Sequence, residues 1–204
     1  MKKHHVAAFA ASLAFFTAGA VSVGLLASPS GAAAGSGDSL SPASTHLTIA
    51  RAGLNAAVIV NGTNDEALQC KISWDASTPA AGLTFVLQGR PKVSACLNGT
   101  GGQANATVTT HGAWTMTAVP KSSSTNMNHV VFAIPKGGMV FTYGALPGCK
   151  VTVGDANLVA NLTAGNEMQF FNKPHVTSTG CKTKGYMTFG GLAGFSPSIS
   201  IVKG

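Results

Sequence analysis

The residues with which this chain could carry out acid–base or nucleophilic chemistry are its serines, the histidines His111, His129 and His175, and the carboxylates Asp65, Glu66, Asp75, Asp155 and Glu167, with Asp38 further upstream. A hydrolase needs a nucleophile, a base and an orienting acid that meet in space. Gly194-Phe195-Ser196-Pro197-Ser198 is not a nucleophile elbow, because its fifth position lacks glycine and a proline follows the serine. A glycosidase needs two carboxyl groups across a cleft. Asp65 and Glu66 are adjacent beside an Asn-Gly turn, and Asp155 follows Gly154, so both read as turn residues. His111 falls on the polar face of an alternating stretch and His129 in a Ser/Asn-rich loop, positions that read as solvated surface. No glycine-rich phosphate cradle followed by Lys-Ser or Lys-Thr is present. No catalytic site and no cofactor are therefore expected.

The remaining reactive residues are Cys70, Cys96, Cys149 and Cys181. An even count in an exported chain points to disulfides, and four cysteines allow three pairings. Cys70–Cys96 with Cys149–Cys181 is favoured, because each bond then closes a nearby loop. In the loop-entropy picture each would stabilise by about 3–4 kcal/mol. A zinc site would show tighter pairs than these; Cys-x-x-Cys is absent and only His175 lies near a cysteine, so no metal is expected.

The compartment follows from the N-terminus. Lys2, Lys3, His4 and His5 precede an apolar, uncharged stretch over 6–26, and Ala32-Ala33-Ala34 supplies small residues for cleavage. That order is a secretory signal peptide over 1–34, cut after Ala34, with a Ser/Gly/Pro-rich flexible leader over 35–45. The apolar stretch is also long enough to span a bilayer, so a membrane association is expected only if it is retained. The 13 basic residues, less Lys2 and Lys3, leave 11 against 6 acidic ones. They are scattered, without a basic run interleaved with aromatics, which argues against nucleic-acid binding.

Residues 46–204 read as a single all-β domain. Charged residues are only 9% of the chain and there are 25 glycines, a composition that disfavours helices. Alternation sets Leu68, Cys70, Ile72 and Trp74 on one face, then Ala106, Val108, Trp114, Met116 and Ala118, with a bend at His111-Gly112. Cys149, Val151 and Val153, then Leu158, Ala160 and Leu162, continue the pattern, and Ile199 and Ile201 close it. Turn signals such as Lys136-Gly137-Gly138, Pro147-Gly148 and Gly165-Asn166 recur between them, and 120–129 reads as an exposed loop. The pattern predicts an antiparallel β-sandwich or barrel of many short strands, preceded by the signal helix. Stretches 130–134 and 139–143, carrying Phe132 and Phe141, are apolar on both faces. Phe170 and Phe171 are adjacent, so on a strand one of them must leave the core. Phe132, Phe141, Phe170 and Phe171 are thus the candidates for an apolar surface that binds something.

From Cys70 onward the landmarks Leu68-Gln69-Cys70, Cys96, Thr109-Thr110-His111-Gly112-Ala113-Trp114, Pro147-Gly148-Cys149-Lys150-Val151-Thr152-Val153, Thr179-Gly180-Cys181 and Phe195-Ser196-Pro197-Ser198-Ile199-Ser200-Ile201 stand in an order that resembles a broad family of small secreted actinobacterial proteins with four cysteines and no assigned activity. The resemblance implies export and a disulfide-linked β fold. The expected function is a non-catalytic structural or interaction protein of the cell surface or medium, meeting a protein or cell-envelope partner or joining copies through edge strands. The rival expectation is a β-barrel carrier of a lipid or other apolar molecule. Intact mass and non-reducing peptide mapping of protein secreted by its host are expected to give a chain that begins at Gly35 and is four hydrogens lighter than its reduced form. A full-length, reduced, membrane-held chain would overturn the compartment argument.

Overall fold

Alternation of apolar and polar side chains, broken at regular intervals by glycine and proline, is realised as fourteen antiparallel strands with no helix among the described residues. The structure is a computed structural model that describes residues 37–204, except 61–63, 99–101, 103, 105, 124–126, 145 and 164–165. The expected signal segment, its cleavage point and the start of the leader lie outside the described residues. The strands are β1 (Ser39–Ser41), β2 (His46–Val60), β3 (Asn64–Ser77), β4 (Val86–Asn98), β5 (Ala106–Thr110), β6 (Thr115–Val119), β7 (Asn128–Ile134), β8 (Met139–Tyr143), β9 (Lys150–Val153), β10 (Ala156–Leu162), β11 (Glu167–Asn172), β12 (Val176–Thr179), β13 (Thr183–Ser196) and β14 (Ser200–Val202).

Eight strands pair in the order β4-β3-β2-β13-β11-β10-β7-β6, and four in the order β12-β9-β8-β5. The two sheets are halves of one meander. β5 and β6 lie end to end and pair with β8 and β7, which pair in turn with β9 and β10, and these with β12 and β11. Each of these four long strands is interrupted once, at His111-Gly112, Pro135-Lys136-Gly137-Gly138, Gly154-Asp155 and Lys173-Pro174-His175. The interruptions sit side by side: His111 N–H donates to Gly138 O (2.9 Å) and Gly154 N–H to His175 O (3.1 Å). The expected bend at His111-Gly112 is one of them.

The ring then closes on both sides. Met187 N–H donates to Pro174 O (3.1 Å), and His175 bridges Tyr186, which joins β12 to β13. Ala104 N–H donates to Cys96 O (3.0 Å), Phe85 N–H to Met116 O (2.9 Å) and Ala118 N–H to Leu83 O (2.9 Å), which carries the β4 side along both β5 and β6. The result is an eight-stranded up-and-down barrel. A ring of eight strands leaves an interior just wide enough for side chains to fill.

Side chains do fill it. Phe132 lies 5.3 Å from each of Trp74 and Phe170, centroid to centroid, Phe141 lies 6.1 Å from Phe189, and Met116, Met139, Met168 and Met187 are fully buried. Flexible thioethers suit the irregular gaps between rings. One end is plugged by Phe85 stacked on Phe195, at 5.7 Å. The chain start differs from the expected leader: β1 pairs with β14, Leu40 N–H donates to Gly82 O (3.2 Å) and the Leu40 side chain is buried. Thr78 holds that segment, accepting from Thr45 N–H (2.9 Å) and donating to Pro42 O (2.6 Å).

The disulfides Cys70–Cys96 and Cys149–Cys181 stand as the favoured pairing. The first staples β3 to β4. The second ties the β8–β9 turn to the β12–β13 turn, and there Gly180 is required twice over: its φ is +73°, and a Cβ would run into the Gly148 carbonyl. Gly148 also has a positive φ (81°) but open space around it. Gly148→Ala should therefore cost about 1–2 kcal/mol from backbone conformation alone, and Gly180→Ala distinctly more. Urea midpoints check this; equal losses would mean that the packing of the two turns adds nothing.

Candidate functional site

On β11 the side chains alternate between the barrel interior and its outer wall. Met168 and Phe170 point inward, while Gln169 and Phe171 point out. Phe170 is 7% exposed and its neighbour Phe171 is 91% exposed. The expectation that one of the pair leaves the core is met in full. Phe132, Phe141 and Phe170, expected with Phe171 as a candidate apolar surface, are instead core residues, because their strands turn those positions toward the barrel axis.

The wall around Phe171 is apolar. Val131 pairs with Val159, and the β10–β11 ladder ends one residue away, at Ala160–Phe170. On the other side Phe171 pairs with Gly190, two residues before Leu192. Val159 is 42% and Leu192 45% exposed. The Asn172 side chain fixes the spot, accepting from Val159 N–H and donating to Val159 O, both at 2.8 Å. Gly190 leaves the strand beside Phe171 without a side chain. The result is a groove of about 510 Å³ floored by β2, β3 and β13 and lined by Asn55, Ala57, Gln69, Asn98 and Thr188. Lys173, two residues beyond Phe171, lays its Nζ over the Tyr186 ring at 3.8 Å, a cation–π contact that holds a positive charge at the edge of the apolar wall.

The residues considered for catalysis are spread apart. His111 Nε2 meets Thr109 Oγ1 (3.1 Å), His129 Nδ1 meets Asn161 Oδ1 (3.0 Å), and Asp75 accepts from Thr48 Oγ1 (3.2 Å). Among the described residues, no three of His, Cys, Asp and Glu gather as a metal site. Ser196 lies in the last residue of β13, after the core residue Phe195.

No protein-family model, curated protein or solved structure matches this chain. Its site is therefore read from its own geometry. Val159 and Leu192 were not singled out in the sequence. Their signal was present but weak: each is the apolar residue on the otherwise polar phase of its strand, opposite Leu158-Ala160 and Ala193.

Residues 170 and 171 give a direct test of the inside–outside assignment. Phe170→Ala is expected to destabilise by about 3–5 kcal/mol, as for a buried ring, and Phe171→Ala by no more than about 0.5 kcal/mol, as for a surface position. Chemical denaturation of the two variants checks it, and comparable losses would contradict the assignment.

Proposed function

We propose that this chain is an exported, non-catalytic interaction protein of the cell surface or surrounding medium, and that it meets a cell-envelope partner through the wall centred on Phe171. The observation that carries this reading is the near-complete exposure of Phe171, with exposed Val159 and Leu192 on the two strands that flank β11. A lone exposed leucine or valine needs no explanation, whereas a contiguous apolar wall around a fully exposed ring does. Export rests on the signal-like N-terminus, on the resemblance to small secreted actinobacterial proteins, and on two disulfides of a kind that persist in oxidising compartments.

Two other expectations meet the same geometry. Joining copies by strand addition needs an open edge; the flanks of the meander bond to each other at a few points, and the β1–β14 ribbon keeps its outer edges. A carrier needs room inside the barrel, and the rings of Trp74, Phe132, Phe141, Phe170 and Phe189 occupy it.

Retention of the labelled protein on envelopes isolated from its own host tests the reading. Phe171→Thr should weaken retention about tenfold or more, the scale of losing one buried aromatic, with Phe171→Leu intermediate and both variants as stable as the parent. Unchanged retention of Phe171→Thr would sink the proposal.

A further inference from the structure

On the wall diametrically opposite Phe171, a strand bulge faces a strand interruption. The β3–β4 register slips between Ser73–Lys92 and Asp75–Gln88, so Gly89, Arg90 and Pro91 bulge out. Gly89 supplies the required positive φ of 86°. Bulges re-aim side chains, and this one delivers Arg90 and Lys92 to the surface on either side of the buried Pro91. Arg90 and Lys92 line one groove with Thr109 and His111. All four side chains are exposed on one face.

The cluster is held in place. Arg90 Nη1 donates to Thr110 O (3.1 Å), and Thr110 Oγ1 donates to Pro91 O (2.6 Å). Between them runs an open groove of about 510 Å³ that Val93 and Val108 also line, and no carboxylate lines it. Asp75, the acid on the adjoining stretch of β3, pairs with Gln88 and accepts from Thr48 on the far side.

We propose that this groove binds a phosphate group carried on a larger molecule. A guanidinium fixed at one nitrogen keeps further donors in a planar fork suited to phosphate. Lys92 adds a mobile point charge, and the His111 and Thr109 side chains add hydrogen-bonding atoms opposite. The groove is larger than one phosphate, and its Val93–Val108 side suits the uncharged part of the carrier. A polymer bearing repeated phosphates meets both features.

Titrations of the full mature protein with polyphosphate and with inorganic phosphate, followed by amide chemical shifts, test the site. Polyphosphate is expected to move the resonances of 90–93 and 108–111 first. Arg90→Gln with Lys92→Gln should weaken its binding at least tenfold. Lys92→Gln alone should weaken it severalfold, and it removes no contact of the fold. Lys184→Gln, an exposed lysine on β13, should change affinity less than twofold. Equal losses for Lys184→Gln, or shifts spread over the whole surface, would reduce the effect to net charge and overturn the proposal. Tighter binding of polyphosphate than of the free ion identifies a polymer-borne ligand; equal binding per phosphate keeps the oxyanion site but overturns the larger carrier.

Discussion

Everything in this structure depends on the seam where β4 meets β5 and β6. An unclosed meander would expose two rows of backbone donors and acceptors and open the hydrophobic interior along its length. The seam prevents both through a few bonds: Cys96 with Ala104 at one end, and Leu83 and Phe85 with Ala118 and Met116 at the other. Between them the bulge at Gly89-Arg90-Pro91 and the interruption at His111-Gly112 would leave a gap, and Arg90 and Thr110 bridge it. Closure makes the interior dry, and a dry interior can be packed with aromatic and methionine side chains.

Closure also decides which faces are free. The polarity of the barrel, apolar inside with threonine, serine, asparagine and lysine predominating outside, is the reverse of a barrel that faces lipid around a polar lumen. The proposed binding surfaces on that exterior are the Phe171 wall and the Arg90–Lys92 groove. They lie on opposite sides of the ring, so neither need obstruct the other. Cys149–Cys181 and the Thr78 clamp fasten turns and the chain start, while Cys70–Cys96 joins the strands β3 and β4 themselves.

Much of the fold was legible in the sequence because a period of two is a strong local signal. Leu68, Cys70, Ile72 and Trp74 were placed on one face by alternation and are buried together. The bend at His111-Gly112 and the opposed directions of Phe170 and Phe171 followed from glycine and from strand geometry. Closure was not legible, because it depends on pairings between segments far apart in the chain, and the interruptions make four long strands look like eight short ones. The same gap hid the sites. Val159, Phe171 and Leu192 come to adjacent strands only through sheet pairing, and Arg90 and His111 to one groove only through the fold. The double-sided apolarity of 130–134 and 139–143 suggested a binding surface, yet Phe132 and Phe141 face the core, since a closed ring gives each strand an inner face to fill. Ser39–Ser41 read as leader because its composition is polar; pairing with β14 and burial of Leu40 are tertiary effects.

The closed ring is tested most directly at Thr84 and Thr117, which face each other across the seam in an antiparallel bridge, their hydroxyls 3.3 Å apart. Phe85 N–H and Ala118 N–H bond on either side of them, so this is the close, non-hydrogen-bonded type of pair. A strong nuclear Overhauser effect between the two Hα atoms, together with slow amide exchange at Phe85 and Ala118, is the result that closure requires. Absence of that cross-peak, with both amides exchanging as fast as a free edge, would show an open sheet and contradict the account.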